Sequence, residues 1–250
     1  MVARRQRVQH DLEHSHAPTI AAYIAQEARS SYLRDWIYGA INGSVTTFAI
    51  VAAVFAADLP AMVMLVLGLA NLAAVGFAMA ARNYRSTKAD RNNHDRAVAG
   101  ERKGISLIPD GKRELIRRTF AHNGFTGDKL ERIVSVMTSD KALWARISAA
   151  KEYGLSPPIK SPAQAAVSTF TAFILFGLVP LVTYLLAGGL AVCIFATGCS
   201  LFALGAVKSR YSLTKWWQSG LETFFLGTSS AALAFGVGYT LRLLLNAPLQ

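Results

Sequence analysis

The sequence predicts an all-α membrane protein with five transmembrane helices and a small cytoplasmic helical insert between helices 2 and 3. The first observation is composition: of 250 residues, 52% are hydrophobic and only 16% are charged, which is too apolar for a soluble domain of this size. The second is that the apolar residues are concentrated in stretches of about 20, the length of helix that spans a bilayer. The third is the uneven distribution of lysine and arginine between the loops.

Five apolar stretches are long enough to cross the membrane. They cover residues 36–57, 61–81, 164–186, 188–207 and 221–241. Between Trp36 and Ala81 the only charged residue is Asp58, and residues 161–207 contain no Asp, Glu, Lys, Arg or His. Because an unpaired backbone amide or carbonyl is costly in lipid, each stretch is expected to be a helix.

The positions of lysine and arginine orient these spans. The hairpins 58–60 and 187–189 contain neither residue, whereas the N-terminal arm carries Arg4, Arg5, Arg7, Arg29 and Arg34. Because such residues in short loops stay on the cytoplasmic side, we expect the N-terminus in the cytosol and the C-terminus on the far side. The net charge of +11 then reflects topology and attraction to anionic lipid on the cytoplasmic side. No nucleic-acid recognition motif is present, so we expect no nucleic-acid partner.

This pattern divides the chain into four parts. Residues 1–35 are a cytoplasmic arm with an amphipathic interfacial helix, 36–81 are transmembrane helices 1 and 2, 82–160 are the cytoplasmic helical insert, and 161–250 are transmembrane helices 3 to 5. In the insert, Asp110 is a candidate helix cap, another helix begins near Ser139 or Asp140, and Gly154 is a candidate helix stop. The arm lacks the apolar core of a cleavable signal peptide. A compact chain without a long leader favours a bacterial inner membrane as the host.

Polar side chains interrupt the first two spans near the middle of the bilayer. Asn42 and Thr46 share one face of the first span, beside a G-x-x-x-G pair, and Asn71 and Met79 share a face of the second. A polar residue at this depth indicates either the lining of a transport path or a hydrogen bond that joins helices. Asp35, beside Arg34 at the cytoplasmic mouth, either belongs to the path or makes an ion pair.

The insert carries a second set of candidate ligands. Asp90, His94 and Glu101 follow one helical face at spacings of four and seven, and two carboxylates with an imidazole could hold a divalent ion. Several arginines and lysines surround them, so a solvated helix face is the alternative. The sequence shows no paired nucleophile and base, no phosphate loop and no zinc spacing, so we expect neither an enzyme nor a bound cofactor.

Several motifs together resemble the vacuolar iron transporter family. They are Arg34-Asp35-x-Ile37-x-Gly39, Gly43-x-x-Thr46-x-Phe48, Ala78-Met79-Ala80-Ala81 followed by Tyr84, Glu152-x-Gly154-Leu155-x-Pro157, and Gly220-Leu221-Glu222. The resemblance extends from near residue 30 to the C-terminus. It implies a homodimer in which the first spans of two subunits face each other and line the ion path. It also implies export of ferrous iron or manganese from the cytosol in exchange for protons.

The chain departs from this family inside the membrane. By the resemblance, the family's aspartate of span one falls at Asn42 and its glutamate of span two at Asn71, while Met79 matches a metal-contacting methionine. An amide oxygen can coordinate a cation, but the amide releases no proton near neutral pH. Proton exchange through these two positions is therefore not available.

The resemblance also assigns ligands in the insert. Glu101 and Glu152 fall at expected glutamate positions, and Glu114 fits after a small shift. Other expected acids fall near Gly104 and Lys112, which carry no negative charge. The resemblance thus implies an insert that keeps part of a metal-collecting set.

Two functions follow from these patterns. The first is a membrane transporter that moves Fe²⁺ or Mn²⁺ out of the cytosol and whose usual transmembrane carboxylates are replaced by asparagine. The second is a transport-inactive relative that acts as a membrane-bound regulatory or interaction protein. In that case the basic insert contacts lipid or an acidic partner.

Overall fold

The computed structural model describes residues 31–154, 160–187, 189–211 and 214–246. These residues are almost entirely helical and include no strand. The amphipathic helix predicted in the N-terminal arm falls largely on residues up to 30, outside the described residues. The all-α prediction is confirmed.

Eight α-helices account for the described chain. They are α1 (Ser31–Ala56), α2 (Ala61–Leu107), α3 (Pro109–His122), α4 (Gly127–Ser139), α5 (Lys141–Tyr153), α6 (Pro162–Ala187), α7 (Leu190–Lys208) and α8 (Trp216–Asn246), with a short 3₁₀ turn (Ser209–Tyr211) after α7. Helices α1, α2, α6, α7 and α8 are long and apolar enough to cross a membrane. Each of the five predicted spans corresponds to one of them.

The chain divides into two compact units. The first contains the described residues up to Arg85 and those from Lys160 onward, and the second begins at Ser86. Helix α2 is 47 residues long and contributes to both, so it continues well beyond the span predicted for it.

In the first unit α1 is the most enclosed of the five long helices. More than half of its apolar window, 56%, is buried, compared with 17% for α8. Its side chains Phe48 and Val51 pack with Met64 of α2, Cys193 of α7 and Ala231 of α8 in one apolar cluster. Because α1 touches most of its neighbours, it organises the unit.

The G-x-x-x-G pair of α1 packs against α6 of the same chain. A Cβ added to Gly39 would lie 2.5 Å from the carbonyl oxygen of Thr169, and one added to Gly43 would overlap the carbonyl oxygen of Phe173. A Cβ on Gly177 of α6 would in turn approach the carbonyl of Gly43 to 3.0 Å. Small residues on both helices therefore allow the two backbones to meet directly.

Side chains at the helix ends show which ends share a side of the first unit. Arg242, near the end of α8, donates a hydrogen bond to Asp58 in the first hairpin over 2.8 Å. At the start of α1, the Tyr32 hydroxyl donates to Gln164 of α6 over 2.8 Å. A chain with five spans begins on one side of the membrane and ends on the other, and both hydrogen bonds agree with this topology.

The second unit is built from the later part of α2 and from α3, α4 and α5. Its core joins one or two apolar side chains from each helix: Ile105, Ile116, Val134, Trp144 and Ala145. Each helix of the unit thus contributes apolar side chains to one shared core, as expected of short amphipathic helices.

Two of the three predicted helix boundaries in the insert are confirmed. Asp140 caps α5, since its Oδ1 accepts a hydrogen bond from the amide of Ala142 over 2.8 Å, and Gly154 ends α5 with φ of 65°. The prediction that Asp110 caps α3 is wrong. Ile108 is the N-cap and Pro109 is the first helical residue, so Asp110 lies inside the first turn, where its charge still favours the helix dipole.

Candidate functional site

Hydrogen bonds connect Asn71 of α2 with Thr46 and the backbone carbonyl of Asn42 in α1, in the membrane part of the first unit. The Asn71 Nδ2 donates to the Thr46 hydroxyl over 3.2 Å, and that hydroxyl donates to the backbone carbonyl of Asn42 over 2.9 Å. The Asn42 Nδ2 donates to the carbonyl of Tyr38 over 2.8 Å. We call Asn42, Thr46 and Asn71 the amide strip. Asn42 and Asn71 are both half-buried.

The hydrogen bonds of the amide strip leave acceptors open. Both asparagine amides use Nδ2 as a donor, and no described donor reaches the Oδ1 of Asn42 or Asn71. An amide oxygen is a hard, neutral ligand of the type that divalent cations accept. The strip can thus offer oxygen atoms to a cation, and it holds no group that releases a proton near neutral pH.

Met79, the other predicted lining residue of α2, has apolar surroundings. Its half-buried side chain packs against the cluster formed by Leu72, Phe173 and Leu181. The hydrogen bonds of the amide strip do not include it. The shared face predicted for Asn71 and Met79 is thus polar at the first residue and apolar at the second.

Asp35 makes an ion pair, but its partner is not the neighbouring Arg34. The Lys160 ammonium donates to both carboxylate oxygens of Asp35, over 3.0 and 2.9 Å. The Asp35 side chain is 13% exposed and the Lys160 side chain is 22% exposed, so the pair is largely shielded from solvent. Consecutive residues on a helix point in different directions, and Arg34 instead lies over the ring of Tyr211, 5.9 Å from its centroid. In the sequence, Lys160 can be recognised only as a lysine just before α6, which does not identify Asp35 as its partner.

We expect Asp35→Asn to lower the free energy of unfolding by about 1–3 kcal/mol, because it leaves the Lys160 charge shielded and unpaired. Thermal unfolding of the protein in detergent measures this loss. The double exchange Asp35→Asn with Lys160→Gln should recover part of it. Asp58→Asn is the control, because the Asp58 and Arg242 side chains are 72% and 42% exposed. Equal losses of unfolding free energy in Asp35→Asn and Asp58→Asn would show that the pair of Asp35 with Lys160 has no special structural role.

In the insert, Lys112 lies between two of the predicted glutamate ligands. Its Nζ is 2.9 Å from Glu101 Oε1 and 2.9 Å from Glu152 Oε2. The Glu101 side chain is only 3% exposed, and its second oxygen, Oε2, has no hydrogen-bond partner among the described residues. Burial lowers the pKa of Lys112, but the hydrogen bonds to Glu152 and Glu101 raise it by more, so it lies above the ordinary 10.5. We call these three side chains the Lys112 bridge.

Glu114 is also occupied by basic side chains. Its carboxylate accepts hydrogen bonds from Arg117 over 2.7 Å and from Arg118 over 3.1 Å, and Arg117 also binds Glu131. These bonds, from Arg117 first and then Arg118, hold the pKa of Glu114 below its ordinary value. The network is on the surface of the insert.

His94 and Asp90 do not form a shared site with Glu101. His94 is buried, its Nδ1 has no partner, and it lines a cavity of about 310 Å³ with Arg102 and Arg146. Asp90 is exposed one turn earlier on α2. Among the described residues, no group of three or more His, Cys, Asp or Glu side chains is arranged to hold a metal ion.

The fold and the amide strip together define a class of protein. Five membrane-length helices make the chain an integral, multi-pass membrane protein. Its membrane part contains a polar contact between its first two spans.

The chain belongs to the VIT family, whose model matches residues 33–239. It is 28% identical to vacuolar iron transporter 2 of Oryza sativa subsp. japonica, over 82% of this chain and 85% of that protein. It is 29% identical to the vacuolar iron transporter of Toxoplasma gondii, over 88% and 78%, and 26% identical to vacuolar iron transporter 1 of Arabidopsis thaliana, over 81% and 83%. The family predicted from the sequence motifs is confirmed.

Proposed function

We propose that the protein is a divalent-metal transporter that moves Fe²⁺ or Mn²⁺ out of the cytosol. The observation that carries this proposal is the amide strip, in which Asn71 of α2 bonds Thr46 of α1 and no described donor reaches the side-chain oxygen of Asn42 or Asn71. Thr46 bonds the Asn71 amide and the Asn42 backbone carbonyl, Met79 extends the path along α2, and Asp35 lies at its cytoplasmic mouth. The similarity to proteins named vacuolar iron transporters supports the choice of cargo. No catalytic step is part of the proposal.

In this proposal the amide strip supplies no proton for exchange with the metal ion. The strip contains no carboxylate or imidazole, and an amide does not titrate near neutral pH. Movement of the cation would then follow its own gradient and the membrane potential. An external pH gradient should have little effect on the rate.

A homodimer through α1 is part of the same proposal. Asn42 is half-exposed within the single chain although it lies in a membrane span, and a polar side chain that faces lipid is costly. A second copy that packs against α1 would cover Asn42 and bring two amide strips to one seam.

The proposed orientation places the insert and the N-terminus in the cytosol and the C-terminus on the far side, in a bacterial inner membrane. Arg34, Lys160 and Lys208 lie at the ends of α1, α6 and α7 that meet on one side of the bilayer. The opposite side carries Asp58 with Arg242. The excess of positive charge on the first side supports its assignment as cytoplasmic, where anionic lipid would contact it.

Uptake of Fe²⁺ or Mn²⁺ by liposomes that contain the purified protein tests this function. We expect Asn71→Leu to reduce the initial rate by about tenfold or more, because a cation loses an oxygen ligand where no water replaces it. A metal-quenched dye inside the liposomes reports the rate.

Thr228→Val is the matched control for Asn71→Leu. Thr228 is an exposed residue of α8 whose hydroxyl, within the described part of the chain, bonds only the Phe224 carbonyl of its own helix, so its loss should leave the rate unchanged. Uptake that is equal in Asn71→Leu and in the unmodified protein would remove the amide strip from the path.

The second candidate function is a transport-inactive regulatory or interaction protein. The Lys112 bridge favours it, because an internal ammonium already occupies the carboxylates of Glu101 and Glu152. Folded protein that moves none of several divalent ions in the same liposomes would support this second function over the first.

A further inference from the structure

A cavity of about 250 Å³ lies in the first unit where the start of α1 meets the end of α7 and the 3₁₀ turn. Its described lining consists of Arg34, Ile37, Tyr38, Lys208 and Tyr211. None of these residues belongs to the amide strip or to the Lys112 bridge. The cavity is therefore a separate feature of the membrane part of the protein.

The described lining contains two cations and no acid. Arg34 forms no ion pair with any described residue, because the adjacent Asp35 is held by Lys160. Its guanidinium is positioned over the ring of Tyr211, 5.9 Å from the centroid, a cation–π contact. The contact orients the side chain but leaves the N–H donors of the guanidinium available.

The second cation is only weakly neutralised. Lys208 contacts Glu222 at 3.5 Å, and the Glu222 side chain is 58% exposed. An ion pair at this distance with a solvated carboxylate contributes little. The ammonium of Lys208 thus retains most of its capacity to bind an anion in the cavity.

The other polar groups of the lining are the phenols of Tyr38 and Tyr211. Neither hydroxyl makes a hydrogen bond to a described residue. A guanidinium, an ammonium and two hydroxyl donors around one cavity are the groups that bind a phosphate oxyanion. Ile37, which is 1% exposed, gives the cavity an apolar wall.

The geometry points to a binding site for the phosphate group of an anionic phospholipid. The cavity lies at the ends of two membrane-spanning helices, the level at which lipid head groups are found, and basic pockets between membrane helices bind such head groups. Its volume suits a phosphate with its adjacent ester atoms. This site gives the anionic lipid of the proposed function a defined position, but it does not depend on metal transport.

Lipid binding by the full-length protein tests the site. The protein is reconstituted in nanodiscs of phosphatidylcholine with increasing phosphatidylglycerol, and the lipid retained after transfer to detergent is measured by mass spectrometry. We expect Arg34→Gln and Lys208→Gln each to lower the ratio of retained phosphatidylglycerol to phosphatidylcholine by about fivefold, the effect of one cation near a charged head group.

Arg210→Gln is the matched control. Arg210 is an exposed residue of the same 3₁₀ turn and does not line the cavity, so it removes one charge at the same membrane level and should keep the ratio of the unmodified protein. An equal fall in Arg210→Gln would assign the effect to general surface charge and overturn the site. A protein without preference for phosphatidylglycerol would also overturn it.

A competition experiment distinguishes the two sources of phosphate. Inorganic phosphate at millimolar concentration should not displace the retained lipid if the lipid is the ligand. Displacement of the lipid by free phosphate in the unmodified protein would overturn the lipid assignment in favour of a soluble anion. Because none of these measurements uses metal, failure of the site and failure of the proposed transport are distinguishable.

Discussion

We expect Gly43→Ala to destabilise the membrane part of the protein by about 2–3 kcal/mol or more, the effect of overpacking a tightly packed interface. The new Cβ would overlap the backbone carbonyl of Phe173 in α6. A backbone atom cannot turn aside as the end of a side chain can, so α1 and α6 would have to separate. Separation would also disturb Ser44, whose hydroxyl donates to the carbonyl of Phe176 in α6 over 3.1 Å.

Thermal unfolding of the purified protein in detergent measures this effect. Gly236→Ala in α8 is the matched control, because a Cβ at Gly236 meets no atom within 4 Å. That exchange should leave the unfolding temperature unchanged or raise it slightly, since alanine favours the helix. If both variants unfold at the same temperature, α1 and α6 are not held by direct backbone contact.

The sequence predicts that the glycines of α1 permit close approach, but not which helix approaches. A G-x-x-x-G pair indicates only that one face of a helix permits close approach, and the family resemblance implies a contact between the first spans of two subunits. The structure shows that α6 uses this face within one chain. The seam proposed for the dimer must therefore involve another face of α1, such as the one that bears Asn42.

Local spacing was sufficient for the features within one helix and insufficient for contacts between helices. Asn42 and Thr46 are one turn apart, so their bond follows from the sequence, whereas the bond from Asn71 depends on the register of α2 against α1. Asp35 and Lys160 are likewise separated by 125 residues. A charge near a helix end predicts an ion pair but leaves its partner open.

The insert shows the same limit for the candidate metal ligands. Helical spacing placed Asp90, His94 and Glu101 on one face, but burial divides them, because Asp90 is exposed while Glu101 is buried beside Lys112. In the sequence, Lys112 stands only as a position without the acid that the family resemblance implies. Its role as the cation between two glutamates depends on how α2, α3 and α5 meet.

Loss of Lys112 from the Lys112 bridge should have a large effect on stability. We expect Lys112→Gln to lower the free energy of unfolding by about 2–4 kcal/mol, because it removes the counter-ion of the buried Glu101 carboxylate. The second carboxylate that Lys112 binds, that of Glu152, is partly exposed and contributes less. The Glu101 side chain is 3% exposed and that of Glu152 is 38% exposed. Lys103→Gln, at an exposed position of α2, the helix that carries Glu101, is the control and should change stability by less than about 0.5 kcal/mol.

The pH dependence follows from the direction of the pKa shift. The pKa of Lys112 is raised in the folded protein above the ordinary 10.5, so its stabilising contribution is fully present below that value. It is lost only as the pH rises through the folded-state pKa. The difference in stability between the unmodified protein and Lys112→Gln should therefore remain constant over about pH 7–9.

Divalent metal should change the unfolding temperature of Lys112→Gln but not that of the unmodified protein. In the unmodified protein the ammonium of Lys112 repels a dication from the two carboxylates, so Mn²⁺ should not change the unfolding temperature of the insert. In Lys112→Gln the carboxylates of Glu101 and Glu152 are free to bind the ion, and Mn²⁺ should raise that temperature because it binds only the folded state. An increase of the same size in both proteins would show that the Lys112 ammonium does not exclude metal from the insert.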